Sequence, residues 1–361
     1  MKRKVLNVAL RRCAALLCVM TMGCLLLHYG VGERLALAAA GLRRPEGALT
    51  LLDKQMTVSP PVYEVPPTDR FEWAEDTTAP DLPTVVVPSV DLPAITMTAP
   101  PTNKGDGGRR TERVMNTGDR SKGVAITNRS GTAVDIAAAL TRRLTVKWED
   151  TDAPQVLILH THTTEGYMTY EADYFNDEDR HRTHDHTRNV CAVGDTVKRT
   201  LAAYGITAIH DTTVHDNPVY SGAYTRSAAV AERYLRQYPS IKIVLDLHRD
   251  SVMDGEVMIQ PTATVEGKKA AQMMLITGVV STDALPHPHW QENLTLAAHW
   301  QAALDAVSPD LMRPLNLTAS RYNQHLSPGW VLVEMGAEGN TIAEAVHSAQ
   351  ILGRTLAELL G

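Results

Sequence analysis

Three nearly continuous apolar runs constrain this chain more than any other feature: VLIL from Val156, IKIVLDL from Ile241 and WVLV from Trp330. Such runs lack the polar alternation of a strand wetted on one side, and they fit strands covered on both faces. Strands of that kind need helices above and below. The sequence supplies them at about 195–204, closed by Gly205, at 222–238, ended by Pro239, and at 290–307, stopped by Pro309. A shorter helix starts at about Val134, and Thr341 with Glu344 makes a capping box for a last one. Further strands are expected at 206–210 and 315–318, with two more around the Glu-Gly turn of TATVEGKKAAQ. Strands alternating with helices predict an α/β fold, with a mixed or mostly parallel central sheet flanked by helices.

Each apolar run delivers polar side chains to a strand end, where open α/β sheets bind ligands. The first continues as HTHTTEGY and places His162 three residues before Glu165; the second ends on His248; the third ends on Glu334. Two histidines and one carboxylate hold Zn2+ with a coordination position open for water, and the remaining glutamate is then the general base. Metal ligands are accordingly expected at His162, Glu165 and His248, and the catalytic carboxylate at Glu334. His160 competes with His162, because residues two apart share a face for as long as the strand stays extended. His162 is preferred, with His160 as a supporting or substrate contact. Asp246 is placed to orient His248 through its free ring nitrogen. Arg249 and Asp250 suit either a substrate contact or a surface salt bridge. His181, His184 and His186 sit in a polar stretch without period and read as loop residues. No GxSxG is present, and Cys191 lacks a recognisable partner histidine.

At the amino terminus, Lys2, Arg3, Lys4, Arg11 and Arg12 precede an uncharged run over 13–32. That run is long enough for one membrane-crossing helix of roughly 20 residues. With its basic flank it predicts an uncleaved signal anchor, a single-pass membrane protein and an extracytoplasmic catalytic domain. Prolines crowd 51–110, which predicts an extended spacer. The expected division is 1–35 for the cytoplasmic stub and anchor, 36–123 for the spacer and 124–361 for the catalytic domain. A formal net charge of −6 gives no electrostatic reason to expect nucleic acid. Of four cysteines, three fall at or within the anchor, so no intrachain disulfide framework is available.

HTHTTEGY, NVCAVGD, DLHRD and YNQHLSPGWVLVEMGAEGNTIAEA together resemble the stage II sporulation protein P family, over about 124–361. That family is similar in its catalytic domain to zinc-dependent N-acetylmuramoyl-L-alanine amidases. The resemblance implies an amidase-like fold, peptidoglycan as substrate and cleavage of the muramoyl-alanine amide, with endopeptidase action on cross-linked stem peptides. It also implies forespore engulfment at the mother-cell engulfing membrane, with stage II sporulation proteins D and M as partners. Matching the motifs implies His162 and His248 as the zinc histidines and Glu334 as the catalytic glutamate. Glu165 is taken as the third ligand because no carboxylate opens NVCAVGD. From the residues alone, a carboxypeptidase-like wall metallopeptidase and a non-catalytic membrane-tethered wall-binding scaffold remain as alternatives.

Overall fold

The apolar runs lie side by side. The computed structural model describes residues 88–361 apart from 94, 103–106, 121–122 and 177–181. Its strands are β1 (Gly108–Arg113), β2 (Ile126–Asn128), β3 (Val156–Leu159), β4 (Tyr174–Phe175), β5 (Ala208–His210), β6 (Ile243–Asp250), β7 (Met253–Asp254), β8 (Val257–Val265), β9 (Lys268–Ala271), β10 (Met273–Gly278), β11 (Leu315–Thr318) and β12 (Trp330–Ala337). The helices are α1 (Ile136–Thr141), α2 (Val190–Ala203), α3 (Ala223–Gln237), α4 (Trp290–Val307) and α5 (Ile342–Leu359). A seven-stranded sheet runs β2, β11, β10, β12, β6, β3, β5. β5, β3, β6 and β12 are mutually parallel, whereas β10 is antiparallel to β12 and carries β11 and β2 parallel to itself. The sheet is therefore mixed, as expected, and the carboxyl ends of β3, β6 and β12 meet at one edge.

Alternate residues of the apolar runs serve different layers. Val156, Ile158, Leu245, Leu247, Val331 and Val333 join a core with α2, α4 and α5, while Leu157, Leu159, Val244 and Trp330 pack with Ala231 of α3. Burial of each such side chain contributes about 1.5–3 kcal/mol, which explains why both alternating sets are apolar. Helix α2 begins earlier than the apolar pattern predicts, because the Asn189 side chain accepts from the Cys191 backbone N–H at 2.9 Å. The Thr341–Glu344 capping box forms as expected. The β8–β9 turn uses Glu266 and Gly267, with φ of 52° and 74°.

A second sheet joins β4, β1, β8 and β7, with β9 also on β8. Strand β1 lies inside the stretch assigned to the spacer, so the folded unit starts before Val124. Its Arg110 is buried: Nε donates to Gln260 Oε1 at 2.9 Å and Nη2 pairs with Glu171 at 2.5 Å. Proline enrichment disfavours regular structure locally, but it does not prevent GRRTER from pairing with distant β8.

The expected single-pass membrane placement also needs correction. Among the described residues no helix is long and apolar enough to cross a membrane. The two 18-residue helices, α4 and α5, contain Glu, His and Gln and pack against the sheet. The uncharged run over 13–32 lies outside the described residues.

Candidate active site

β3 stops at Leu159 and the chain turns at once: Thr163 Oγ1 donates to His160 O at 2.8 Å, and Glu165 N–H to His162 O at 3.1 Å. The turn separates the two histidines that an extended strand would have aligned. His160 is enclosed, with Nδ1 2.9 Å from Leu247 O and Nε2 2.8 Å from His210 Nε2. One neutral arrangement satisfies both contacts: Nδ1–H donates to the carbonyl and Nε2 accepts from His210. Burial lowers His160 to about 4 and His210 to about 2. His160 is thus outside the ligand cluster and out of a substrate's reach.

His162, Glu165 and His248 do converge, each offering a ligand atom within 4.8 Å of the others. His162 Nδ1 is 3.2 Å from Glu165 Oε1, and His248 Nδ1 is 3.3 Å from Oε2. The backbone N–H of Arg249 donates to Oε2 at 3.0 Å, which fixes the carboxylate. Behind His248, Nε2 is 3.0 Å from Asp246 Oδ1, a close charge contact out of line for an aligned hydrogen bond. Asp246 is itself held by the Thr161 N–H and hydroxyl, at 2.8 and 2.7 Å. Its reach to the ring follows from the shared face of residues two apart on β6.

Burial alone would push the Glu165 carboxyl up. The His248 charge and hydrogen bonds from His162 and His248 outweigh it and hold Glu165 well below the usual carboxylate range. Burial likewise opposes charge on His248, but Asp246 and Glu165 raise it above an ordinary imidazole. The enclosed site therefore carries negative charge that stabilises a cation.

Glu334 stands beside this cluster, in register with His248 on the neighbouring parallel strand. It is half-buried, and its Oε2 is enclosed without a hydrogen-bond partner. Burial pushes its carboxyl up to about 8, with His248 opposing and Asp250 and Glu165 reinforcing the shift. Arg249 is a brace: Nε donates to Gly166 O at 2.8 Å, and Nη1 is 3.4 Å from Glu338. Asp250 pairs with Arg313 at 2.8 Å.

Several neighbours lacked a sequence signal. The Tyr220 ring stacks on His162 at 4.6 Å, Arg182 lies over the Tyr220 ring at 4.8 Å, and Tyr224 is 5.6 Å from His162. Arg182 also pairs with Asp216 and lies 3.4 Å from Glu165. Tyr224 stands in the first turn of α3, whereas Tyr220 precedes its Gly222 cap, so no helical spacing links the two rings. His184 and His186 stay outside the cluster; His181 lies outside the described residues. Cys191 is buried, and burial pushes its thiol up to about 12, so it is no nucleophile at neutral pH.

The family described as stage II sporulation protein P matches residues 101–357. The chain belongs to that family. No curated protein matches it in sequence. Among solved structures, the chain is similar to the CwlD amidase from Clostridioides difficile in complex with the GerS lipoprotein, at 12% identity and TM-score 0.37, covering 57% of this chain and 98% of that one. It is also similar to the apo form of the N-acetylmuramyl-L-alanine amidase Ami1 from Mycobacterium abscessus, at 13% identity and TM-score 0.36, covering 58% and 100%. Ami1 from Mycobacterium smegmatis is 16% identical with TM-score 0.34, covering 58% and 98%. In this stage II sporulation protein P family member, the matched segment includes β1 as well as every residue of the His162, Glu165, His248 and Glu334 constellation.

Proposed function

We propose that this protein is a zinc-dependent peptidoglycan amidase that hydrolyses the amide between N-acetylmuramic acid and L-alanine during sporulation. The carrying observation is the convergence of His162, Glu165 and His248 beside the enclosed, unpartnered Oε2 of Glu334. Family membership supports peptidoglycan and sporulation as the setting. The donor set fits Zn2+: two imidazoles and one carboxylate, with Asp246 behind one imidazole. Bound there, zinc supplies Lewis-acid polarisation of the scissile carbonyl and makes water more acidic.

The chain's own residues do the rest. A nearby cation favours ionised Glu334 over the neutral form that burial favours without one. The Glu334 carboxylate takes a proton from the attacking water as the carbon-oxygen bond forms. It then returns that proton to the alanine nitrogen as the carbon-nitrogen bond breaks, leaving a lactyl carboxyl group on the sugar and an amine on the peptide, between which the second water proton passes to give carboxylate and ammonium. Arg249 holds Glu165 in place through its backbone N–H. An added cut in cross-linked stem peptides would use this same constellation, since among the described residues no second group of metal-ligating side chains assembles.

The test is product identification by mass after incubating zinc-loaded full-length chain with muropeptides. Stem peptide with a free L-alanine amine, together with peptide-free glycan, is the expected outcome. Loss of a carboxyl-terminal residue alone would instead establish a carboxypeptidase, and undiminished muropeptide would remove the catalytic reading.

A further inference from the structure

One face of the central sheet carries a continuous track of side chains away from the ligand cluster. Register pairs Glu334 with Met274; two residues along β10, Ile276 pairs with Asn316, and Asn316 with Thr127. Register partners, and residues two apart on one strand, share a face. Helix α3 packs on this face at β3, β6 and the start of β12. Over the other half lies an open cavity of about 270 Å³, which Glu334, Met274, Asn316, Thr127 and Arg129 help to line.

The cavity is polar and positively charged at its far end. Glu334 Oε2 and Asn316 Oδ1 are enclosed without hydrogen-bond partners. On the wall, Arg313 is 8% exposed and is already matched by Asp250 at 2.8 Å. Arg129 differs: its backbone N–H extends the ladder to Leu317 O at 2.8 Å, while its exposed guanidinium makes no hydrogen bond or ion pair with another described residue. From Glu334 to Thr127 the track crosses three strand spacings of about 4.8 Å and steps about 7 Å along, roughly 16 Å in all. An extended peptide covers that distance with about four to five residues.

We propose that this groove seats the stem peptide of the muropeptide, with Arg129 receiving the peptide's terminal carboxylate and Asn316 Oδ1 accepting a peptide N–H. The proposal rests on the amidase reading above. A stem peptide hangs from the scissile amide by its first residue, is four to five residues long and ends in a free carboxylate, so its length and charge match the groove.

Zinc-loaded full-length protein is titrated calorimetrically with free L-Ala-γ-D-Glu-diaminopimelate-D-Ala and with the same peptide amidated at its carboxyl terminus. The acid is expected to bind about tenfold tighter than the amide, the scale of one charge-assisted contact. Arg129→Gln, a change at an exposed position, should weaken acid binding about tenfold and erase the acid–amide difference. Equal binding of acid and amide by the unaltered protein, an undiminished preference in Arg129→Gln, or no binding would each overturn the groove assignment. The two readings fail separately. Discrimination without muramoyl-alanine cleavage would leave the groove and remove the amidase, whereas cleavage without discrimination would do the reverse.

Discussion

Two histidine pairs flank the turn after β3, and their ring geometries nearly coincide. The His162 and His248 centroids are 5.0 Å apart at 89°, and those of His160 and His210 are 5.1 Å apart at 78°. Their chemistry is opposite. His248 faces Asp246 and Glu165 and is raised as a base, while His160 and His210 face each other and a carbonyl and are both lowered. The carboxylates decide which pair stabilises positive charge, and thereby which pair is suited to a metal. Burial is common to both and discriminates nothing.

The comparison breaks most sharply at the ligands. His248→Ala should abolish zinc retention and hydrolysis together, because two donors remain of three, whereas His160→Ala should keep its metal. Metal content measured on folded, desalted preparations decides this. Near-stoichiometric zinc in the His248 variant, or its loss in the His160 variant alone, would reverse the roles assigned to the two pairs.

Glu334→Gln comes next in size. The amide preserves shape but accepts no proton, so zinc should remain while hydrolysis falls about 100-fold to 10,000-fold. Metal content and muropeptide turnover are read on the same preparation. Full turnover would remove Glu334 as the base, and lost zinc would move it into the ligand set.

These first two effects concern residues that were legible in the sequence, and the reason is local. Apolar runs demand strands, and polar residues at their ends mark the sheet edge, so His162, Glu165, His248 and Glu334 stand out before any tertiary contact is known. The choice between His160 and His162 was not decidable in the same way. It depends on where β3 stops, which Thr163 and Glu165 set through turn hydrogen bonds. His210 is 50 residues from His160, and Tyr224 reaches the site from the start of α3, so only tertiary packing brings them in. For β1, local proline content pointed one way and pairing with β8 the other. The nonlocal pairing prevailed: β1 fills a ladder position beside β8, and the cost of burying Arg110 is offset by its hydrogen bonds to Gln260 and the Tyr170 carbonyl.

The third effect separates the pairs by pH. His160 and His210 have folded pKa values below the unfolded value of about 6.5, so the unfolded chain alone takes up protons below that pH. Their contribution to stability is fully present above 6.5 and is lost as pH falls, by about 1.4 kcal/mol per unit for each ring. Raised His248 does the reverse in metal-free protein: its contribution is present below 6.5 and is lost as pH rises through its folded pKa. His210→Gln removes one ring from the neutral pair. The drop in unfolding free energy between pH 6.5 and pH 5 should shrink by about 2 kcal/mol relative to the unaltered chain. Chemical denaturation of metal-free protein at the two pH values measures it. An unchanged drop would mean that the pair is solvated and not held neutral.

The smallest expected effect tests how tightly that neutral pair is packed. Gly194 sits in α2 against both rings; a methyl added there would lie 2.8 Å from His160 Nε2 and closer still to His210. Alanine favours the helix over glycine by about 1 kcal/mol, whereas forcing a methyl into a filled site costs about 1–3 kcal/mol. His160 cannot retreat without giving up Leu247 O, so the clash should prevail and Gly194→Ala should lose about 1 kcal/mol. Zinc retention should not change, because none of the ligands touches this position. A shifted denaturation midpoint with full metal content fits that account. A variant more stable than the parent would show that the rings yield freely, and that the His160–His210 contact contributes little to holding the turn after β3.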